Sequence, residues 1–295
     1  MRISVPIRPD LDGYTGRECP TCERYFKIKG GTGIPGLTVT HCPYCNHVGP
    51  HTEFWTKQQI AFARSVAMNK VSSQLLSSMK KLERRPDPRA LMSIGITVRG
   101  SPTPIRHYTE KELEERVTCS SCSLEYTIYG SFGYCPDCGM HNSEQIANAN
   151  LDLVLRALDL AGTAMDDLRA KLVENALEDA VACFDGFGRE HCANQPYKIS
   201  FQNLEAARVK LQREHGLDLA TSLSAADWSF VAVQFQKRHL LAHTLGIIDA
   251  DFIAKTSASP SLEGRKVTIT DSDVRKLAGH LRVLAEALHR GLPKS

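Results

Sequence analysis

The sequence predicts a multidomain α+β protein: two small β units with linking helices, followed by an all-α helical bundle. Three observations carry this reading. Eight of the ten cysteines form four C-x2-C pairs, all in the first half of the chain. Short strand-like stretches accompany those pairs, RYFKIK and LTVT at the first two and LEYTIY between the second two. From residue 147 onward, apolar residues recur at helical spacing almost without interruption. The boundaries drawn from these patterns are a first β unit at 1–55, a linking helix at 56–90, a second β unit at 91–145, a linking helix at 146–164 and a bundle at 165–295.

The totals bound the class. A chain of 295 residues with 42% apolar content can bury a sizeable core and divide into two or three units. No apolar run approaches the roughly 20 residues that span a bilayer, and nothing resembles a signal peptide, so a soluble, cytoplasmic protein without a membrane partner is expected. Paired cysteines at metal-ligand spacing agree with a reducing compartment. Residues 1–150 hold 18 Lys+Arg against 14 Asp+Glu, and residues 151–295 hold 18 against 19. Bulk charge therefore makes no case for nucleic-acid binding.

Residues 1–18 read as a polar tail containing Pro6 and Pro9. Cys19-Pro-Thr-Cys22 is followed after 19 residues by Cys42-Pro-Tyr-Cys45. Cys119-Ser-Ser-Cys122 and Cys135-Pro-Asp-Cys138 repeat the pattern across 12 residues. Two such turns joined by a hairpin place four sulfurs at tetrahedral corners, so each set is a zinc ribbon and two structural Zn2+ ions per chain are expected. Four thiolates around one Zn2+ leave a charge of about −2, so two sites cancel the excess of cations in the first half. His41, His47 and His51 lie near enough to replace a sulfur, but with four cysteines available they read as surface residues. Gly31-Thr32-Gly33-Ile34-Pro35-Gly36 spells a dinucleotide fingerprint, yet it lies between two metal turns and contains a proline. Its glycines are expected to let the chain turn.

Residues 52–82 read as one long helix capped near Thr52. Its basic end, Lys80, Lys81, Arg84, Arg85 and Arg89, runs into Pro86 and Pro88; a solvated helix end and a phosphate-contacting patch are both consistent with it. Residues 91–118 fit short strands or a loop. Gln59-Ile-Ala-Phe-Ala and Gln145-Ile-Ala-Asn-Ala follow the two ribbons and suggest a duplicated ribbon-plus-helix unit. Residues 147–186 are helical with a break at 161–163. Cys183 and Cys192 have no partner pair and read as structural thiols. Residues 257–266 form a polar loop, and Thr270 caps the last helix.

Within the bundle, Ser224 and Asp227 start a helix that carries Trp228, Val231, Phe235, Leu240 and Leu241. At roughly 100° per residue, His239 and His243 continue the face of Trp228 and Phe235, with Arg238 on its flank, while Phe230, Val233, Leu240 and Leu241 point elsewhere. A helix apolar on both sides must be covered on both, so Arg238, His239 and His243 are expected at a seam between two bundles.

Arg238, His239 and His243 resemble the R-x4-H signature of HEPN domains, small dimerising helical bundles of which many cleave RNA without metal. The flanking text resembles the subset related to ribonuclease L: Gly246 and Asp249 follow the second histidine, residues 172–187 (LVENALEDAVACFDGF) precede it, and residues 264–288 close the bundle. The resemblance spans roughly residues 165–291, and His239 stands where many members carry asparagine. It implies an all-α HEPN-like bundle, a homodimer, an RNA substrate, a metal-independent endoribonuclease with Arg238 and His243 in the principal roles and His239 supporting, and service in prokaryotic defence or toxin systems, where a protein regulator is possible. The residue types suit that chemistry, because imidazole can act as base or acid near neutral pH and guanidinium forks onto phosphate oxygens. A non-catalytic dimer that binds nucleic acid or protein through its ribbons is the alternative. In that reading His239 and His243 are bonded within a dimer interface and Arg238 pairs with a carboxylate such as Asp249 or Asp251. His239 and His243 as metal ligands would need the glutamate of H-E-x-x-H, which Leu240-Leu241-Ala242 does not supply.

Overall fold

All four C-x2-C pairs fold into the same turn. The amide of the residue after the second cysteine donates to the first cysteine's carbonyl (Glu23 to Cys19 3.0 Å, Asn46 to Cys42 3.0 Å, Ser123 to Cys119 2.9 Å, Gly139 to Cys135 2.9 Å). The first cysteine's amide then donates to the carbonyl five residues on, as from Cys19 to Arg24 at 3.0 Å and from Cys135 to Met140 at 2.8 Å. This closure requires a left-handed residue after each pair, and φ is 57° at Glu23, 54° at Asn46, 61° at Ser123 and 68° at Gly139.

The computed structural model describes residues 3–84, 95–113, 115–192 and 199–292, and the chain divides into two units, Met1–Met140 and His141–Ser295. In the first unit, β1 (Tyr14–Glu18) and β2 (Tyr25–Lys29) form a hairpin around the first turn, β3 (Val39–His41) and β4 (Val48–Pro50) a second around the next, and β5 (Glu115–Thr118) and β6 (Glu125–Ile128) a third. The two ribbons are not separate bodies. Strand β2 pairs antiparallel with β6, with Lys27 opposite Thr127 and Ile28 opposite Tyr126, giving one sheet of order β1-β2-β6-β5. His41 donates to Pro136 O at 2.7 Å and Tyr134 donates to Pro43 O at 2.9 Å, a reciprocal pair linking equivalent positions of the two repeats. Phe26, Phe54, Leu124, Tyr126 and Ile128 form one core with the sulfurs of both sets. Sharing it resolves a shortage, since neither hairpin alone has enough apolar surface to bury. Gly31, Gly33 and Gly36 all have positive φ, and a Cβ at Gly33 would lie 2.1 Å from Asp137, so the glycine run serves a tight turn.

The long helix begins later than expected. Residues His51–Phe54 form a single 3-10 turn that drives Phe54 into the core, and Thr56 is the cap of α1 (Lys57–Lys80). Thr56 Oγ1 accepts from Gln59 N at 3.0 Å while Gln59 Oε1 accepts from Thr56 N at 3.1 Å, satisfying two donors that Thr52 could not reach. Of the basic run, Arg85 and Arg89 lie outside the described residues, as do residues 91–94. Residues 95–113 are extended chain apart from an isolated bridge between Arg84 and Ile96.

The second unit is all helical: α2 (Ser143–Ala161), α3 (Asp166–His191), α4 (Leu204–His215), α5 (Ala225–Thr244), α6 (Ala250–Thr256) and α7 (Asp271–Gly291). The boundary drawn at 165 falls inside this unit. Leu151, Val154, Leu158 and Ala161 of α2 share a core with Leu177, Phe184, Leu281 and Leu284, so α2 is a bundle helix. Helix α3 runs past residue 186, and Gly188 is where Phe201 packs: a Cβ there would stand 2.3 Å from the ring. The expected caps are present, with Ser224 accepting from Asp227 N and Thr270 from Asp273 N, both at 3.1 Å. A satellite core of Leu240, Ile248, Phe252 and Val267 holds α6 and the loop before α7.

Candidate functional site

The eight cysteines come together as the spacing predicts. Within each set the sulfurs lie within 4.8 Å of one another, and the closest approaches are Cys19–Cys45 at 3.7 Å, Cys22–Cys42 at 3.6 Å, Cys119–Cys138 at 3.6 Å and Cys122–Cys135 at 3.5 Å. Tetrahedral coordination with sulfur at about 2.3 Å requires S···S separations of about 3.8 Å. Each set can therefore hold a metal ion. Backbone amides support the sulfurs, Thr21 N donating to Cys19 and Tyr44 N to Cys42, both at 3.4 Å. A hydrogen bond from Cys135 draws the Cys119 thiol down to about 5, and burial pushes Cys122 up to about 11. Four sulfurs this close favour full ionisation only with a cation among them. None of the three nearby histidines is among these ligands: His41 Nδ1 meets Asn46 Oδ1 at 3.1 Å, His51 is held by Thr40 and Leu37 O, and His47 packs on Phe54. Cys183, whose thiol donates to Ala147 O at 3.3 Å, and buried Cys192 are pushed up by burial to about 11 and about 12 and stay protonated, as structural thiols do.

The sequence-derived seam lies at the C-terminal end of α5. His239 and His243 are one turn apart on its exposed side, with ring centroids 4.4 Å apart and planes inclined at 51°. Arg238 is half-buried, and its Nε is shielded from solvent without a hydrogen-bond partner. One turn earlier, Gln234 is 2% exposed and its Oε1 is also unpartnered, a feature that periodicity alone did not single out. Asp249 and Asp251 are engaged elsewhere. Asp249 caps α6 by accepting from Phe252 N at 2.8 Å, and Asp251 pairs with Lys255 at 2.6 Å. Leu245, with φ 54°, and Gly246, with φ 82°, end the helix, and Gly246 N donates to Leu240 O at 3.0 Å.

One expectation about this helix needs correcting. Trp228 and Phe235 do not share an outward seam with the histidines; they are 9% and 3% exposed within their own bundle, Phe235 meeting Phe184 edge-on at 6.3 Å. After Phe235 the main core is met by Leu241, about 120° around the helix from Phe235, and Leu240 turns into the satellite core, so the buried face rotates about the axis. That rotation leaves His239 and His243 exposed together with Ala242, Leu245 and Ile247, the last two 84% and 42% exposed.

Among the described residues, the groups of three or more His, Cys, Asp or Glu placed to hold a metal are the two cysteine sets, which gives the His239–His243 pair no third ligand. No described helix is long and apolar enough to cross a membrane. A cleft of about 1130 Å³ beside Lys27, Asp10 and Tyr108 lies in the first unit and contains none of these residues. No family model matches the chain, and searches of curated proteins and of solved structures find no match.

Proposed function

We propose that this protein is a metal-independent endoribonuclease of HEPN type, with Arg238 and His243 as its principal catalytic groups and Zn2+ as the ion in each cysteine set. The observation that carries the reading is an arginine whose Nε has no hydrogen-bond partner among the described residues, beside two exposed histidines whose rings lie 4.4 Å apart at one helix end. Asp249 and Asp251, two carboxylates that a merely structural arginine here could pair with, instead cap α6 and meet Lys255. In the reaction, a base removes the proton of an RNA 2′-hydroxyl, O2′ attacks the adjacent phosphorus, the P–O5′ bond breaks and an acid protonates the leaving 5′-oxygen. His243 serves as base or acid, Arg238 binds the oxygens that gain charge, and the His239 ring, one turn away, supports His243. A second copy, docking on the patch of Leu245 and Ile247, would supply the complementary group across a two-fold axis. Zinc supplies rigidity to the first unit, whose small core depends on it.

The test is the chemistry of the products. Structured RNA incubated with the purified protein, with EDTA added as the reaction starts, should yield 2′,3′-cyclic phosphate and 5′-hydroxyl ends, and DNA, which lacks the nucleophile, should survive. Strict dependence on added divalent metal, or products with 5′-phosphate ends, would refute the assignment. Absence of cleavage with retained RNA or protein binding would favour the non-catalytic dimer instead.

A further inference from the structure

Helix α1 is apolar on two sides. One side is already occupied by the extended chain of residues 100–108: Asn69 Nδ2 donates to Thr103 O at 2.7 Å, Thr103 N to Ser72 Oγ at 2.9 Å and Arg106 N to Ser65 Oγ at 2.9 Å, while Phe62 meets Tyr108 at 5.5 Å. The other side carries Ile60, Met68, Val71, Leu75, Met79 and Leu82, which are 41, 55, 47, 59, 42 and 67% exposed. At 100° per residue these six fall within an arc of about 100°, so they form one continuous stripe along the helix and its last turn.

The stripe has a seven-residue repeat. Ala61, Met68, Leu75 and Leu82 recur every seven positions, with Arg64, Val71 and Ser78 at the intermediate spacing, the pattern of a helix that packs against another helix. Ala61, Ala67 and Ser78 leave room for close approach. A flat bilayer would instead be met by a broad face of bulky side chains, which these small residues and Arg64 interrupt.

Charge selects the kind of helix. From residue 57 to residue 82 the chain has no Asp or Glu, and it carries Lys57, Arg64, Lys70, Lys80 and Lys81. Lys57 is taken by Glu18 and Glu23 at 3.5 and 3.3 Å; of the other cations, Arg64 lies within the stripe and Lys70 and Lys81 flank it, while Lys80 points away. A second copy of α1 offers no carboxylate between residues 57 and 82 to meet Arg64, Lys70 or Lys81, so neither a parallel nor an antiparallel pairing neutralises them. We propose that this face is the docking site for an acidic amphipathic helix of a partner protein, with aliphatic side chains along the Met68–Leu75–Leu82 row and carboxylates opposite Arg64, Lys70 and Lys81.

A fluorescein-labelled 28-residue heptad peptide, with leucine at its two core positions and glutamate at the flanking ones, serves as probe, alongside its lysine-flanked counterpart. With the full-length protein, fluorescence anisotropy should show the acidic peptide binding at least about 10-fold tighter than the basic one and weakening several-fold between about 0.05 and 0.5 M NaCl. Leu75→Glu should lower that affinity about 10-fold or more while leaving the circular dichroism melt unchanged, because Leu75 is exposed. A milder variant, Val71→Ser, should lower it less and keeps the test available if Leu75→Glu misfolds. Equal binding of the two peptides would overturn the proposal. So would a dimer that Leu75→Glu splits, or Leu75-dependent binding to phosphatidylglycerol vesicles in place of the acidic peptide.

Discussion

Changing Cys135 to Ser should unfold both ribbons, including the one whose four cysteines are intact. The substitution removes a sulfur ligand from the second set, and a four-sulfur site contributes about 10–16 kcal/mol of folding free energy when zinc binds. The coupling to the first ribbon follows from contacts between the repeats. Hydrogen bonds from His41 to Pro136 O, Tyr134 to Pro43 O, Glu125 to Thr32 and Tyr129 to Tyr44 cross between them. At about 1 kcal/mol each these contribute about 4 kcal/mol. Leu124, Tyr126 and Ile128 of the second ribbon are 2, 0 and 0% exposed, in a core shared with Phe26 and Phe54, and at about 2 kcal/mol each add about 6 kcal/mol. A loss near 10 kcal/mol exceeds what the first hairpin retains alone. Hydrogen exchange followed by mass spectrometry, with thiol-reagent release of zinc, reads this directly. Amides of β1 and β2 should lose protection in the Cys135→Ser protein and the zinc content should fall from two to below one, while α3 and α7 stay protected. Full protection of β1 and β2 with one tightly held ion would refute the shared-core argument.

Phe235→Asp should collapse the second unit, because a carboxylate would replace a ring packed against Phe184; a loss above about 4 kcal/mol is expected, visible as a missing thermal transition. Leu245→Asp should leave the fold intact, since the side chain is 84% exposed and Asp tolerates a left-handed backbone, yet light scattering should show weaker self-association and RNA cleavage should fall with it. The bundle should also lose stability in acid. Burial, aided by the charge of His289, holds His141 and His191 down at about 4 against their ordinary 6.5. The unfolded chain thus binds protons that the folded chain refuses, so the stability present above pH 6.5 declines as pH falls toward 4, by at most roughly 3 kcal/mol per histidine. Melting of His191→Phe between pH 7 and 4 should show a shallower decline than the parent; equal slopes would contradict this.

What the sequence made legible was local. A C-x2-C pair encodes its own turn and its own two sulfurs, so all eight clustered cysteines could be read from spacing. The helix caps at Ser224 and Thr270 were equally local. The pairing of β2 with β6 was not, because the register joins strands about 100 residues apart and nothing in either strand's alternation names the other. The expected cap at Thr52 lost to Thr56 because Phe54 had to enter a core assembled from both repeats. Helix α2 read as a linker since its amphipathic face has meaning only beside α3 and α7, and α4 was passed over altogether. At the candidate site, the motif residues were found and their face was mistaken. A constant 100° rotation places His239 with Trp228, whereas beyond Phe235 the helix is held by Leu241 against the main core and Leu240 in the satellite core, which leaves the histidines outward.

The most direct test of the account is single-turnover cleavage of one structured RNA by the parent protein and by His243→Ala, Arg238→Ala and His239→Ala, with RNA affinity measured in parallel. His243 and His239 are exposed and Arg238 half-buried, so the folds should survive. The account predicts a fall of roughly 10² or more for His243→Ala and Arg238→Ala, a smaller fall for His239→Ala, and little change in RNA affinity. Cleavage by His243→Ala at the parent rate would contradict it and return Arg238, His239 and His243 to a structural role.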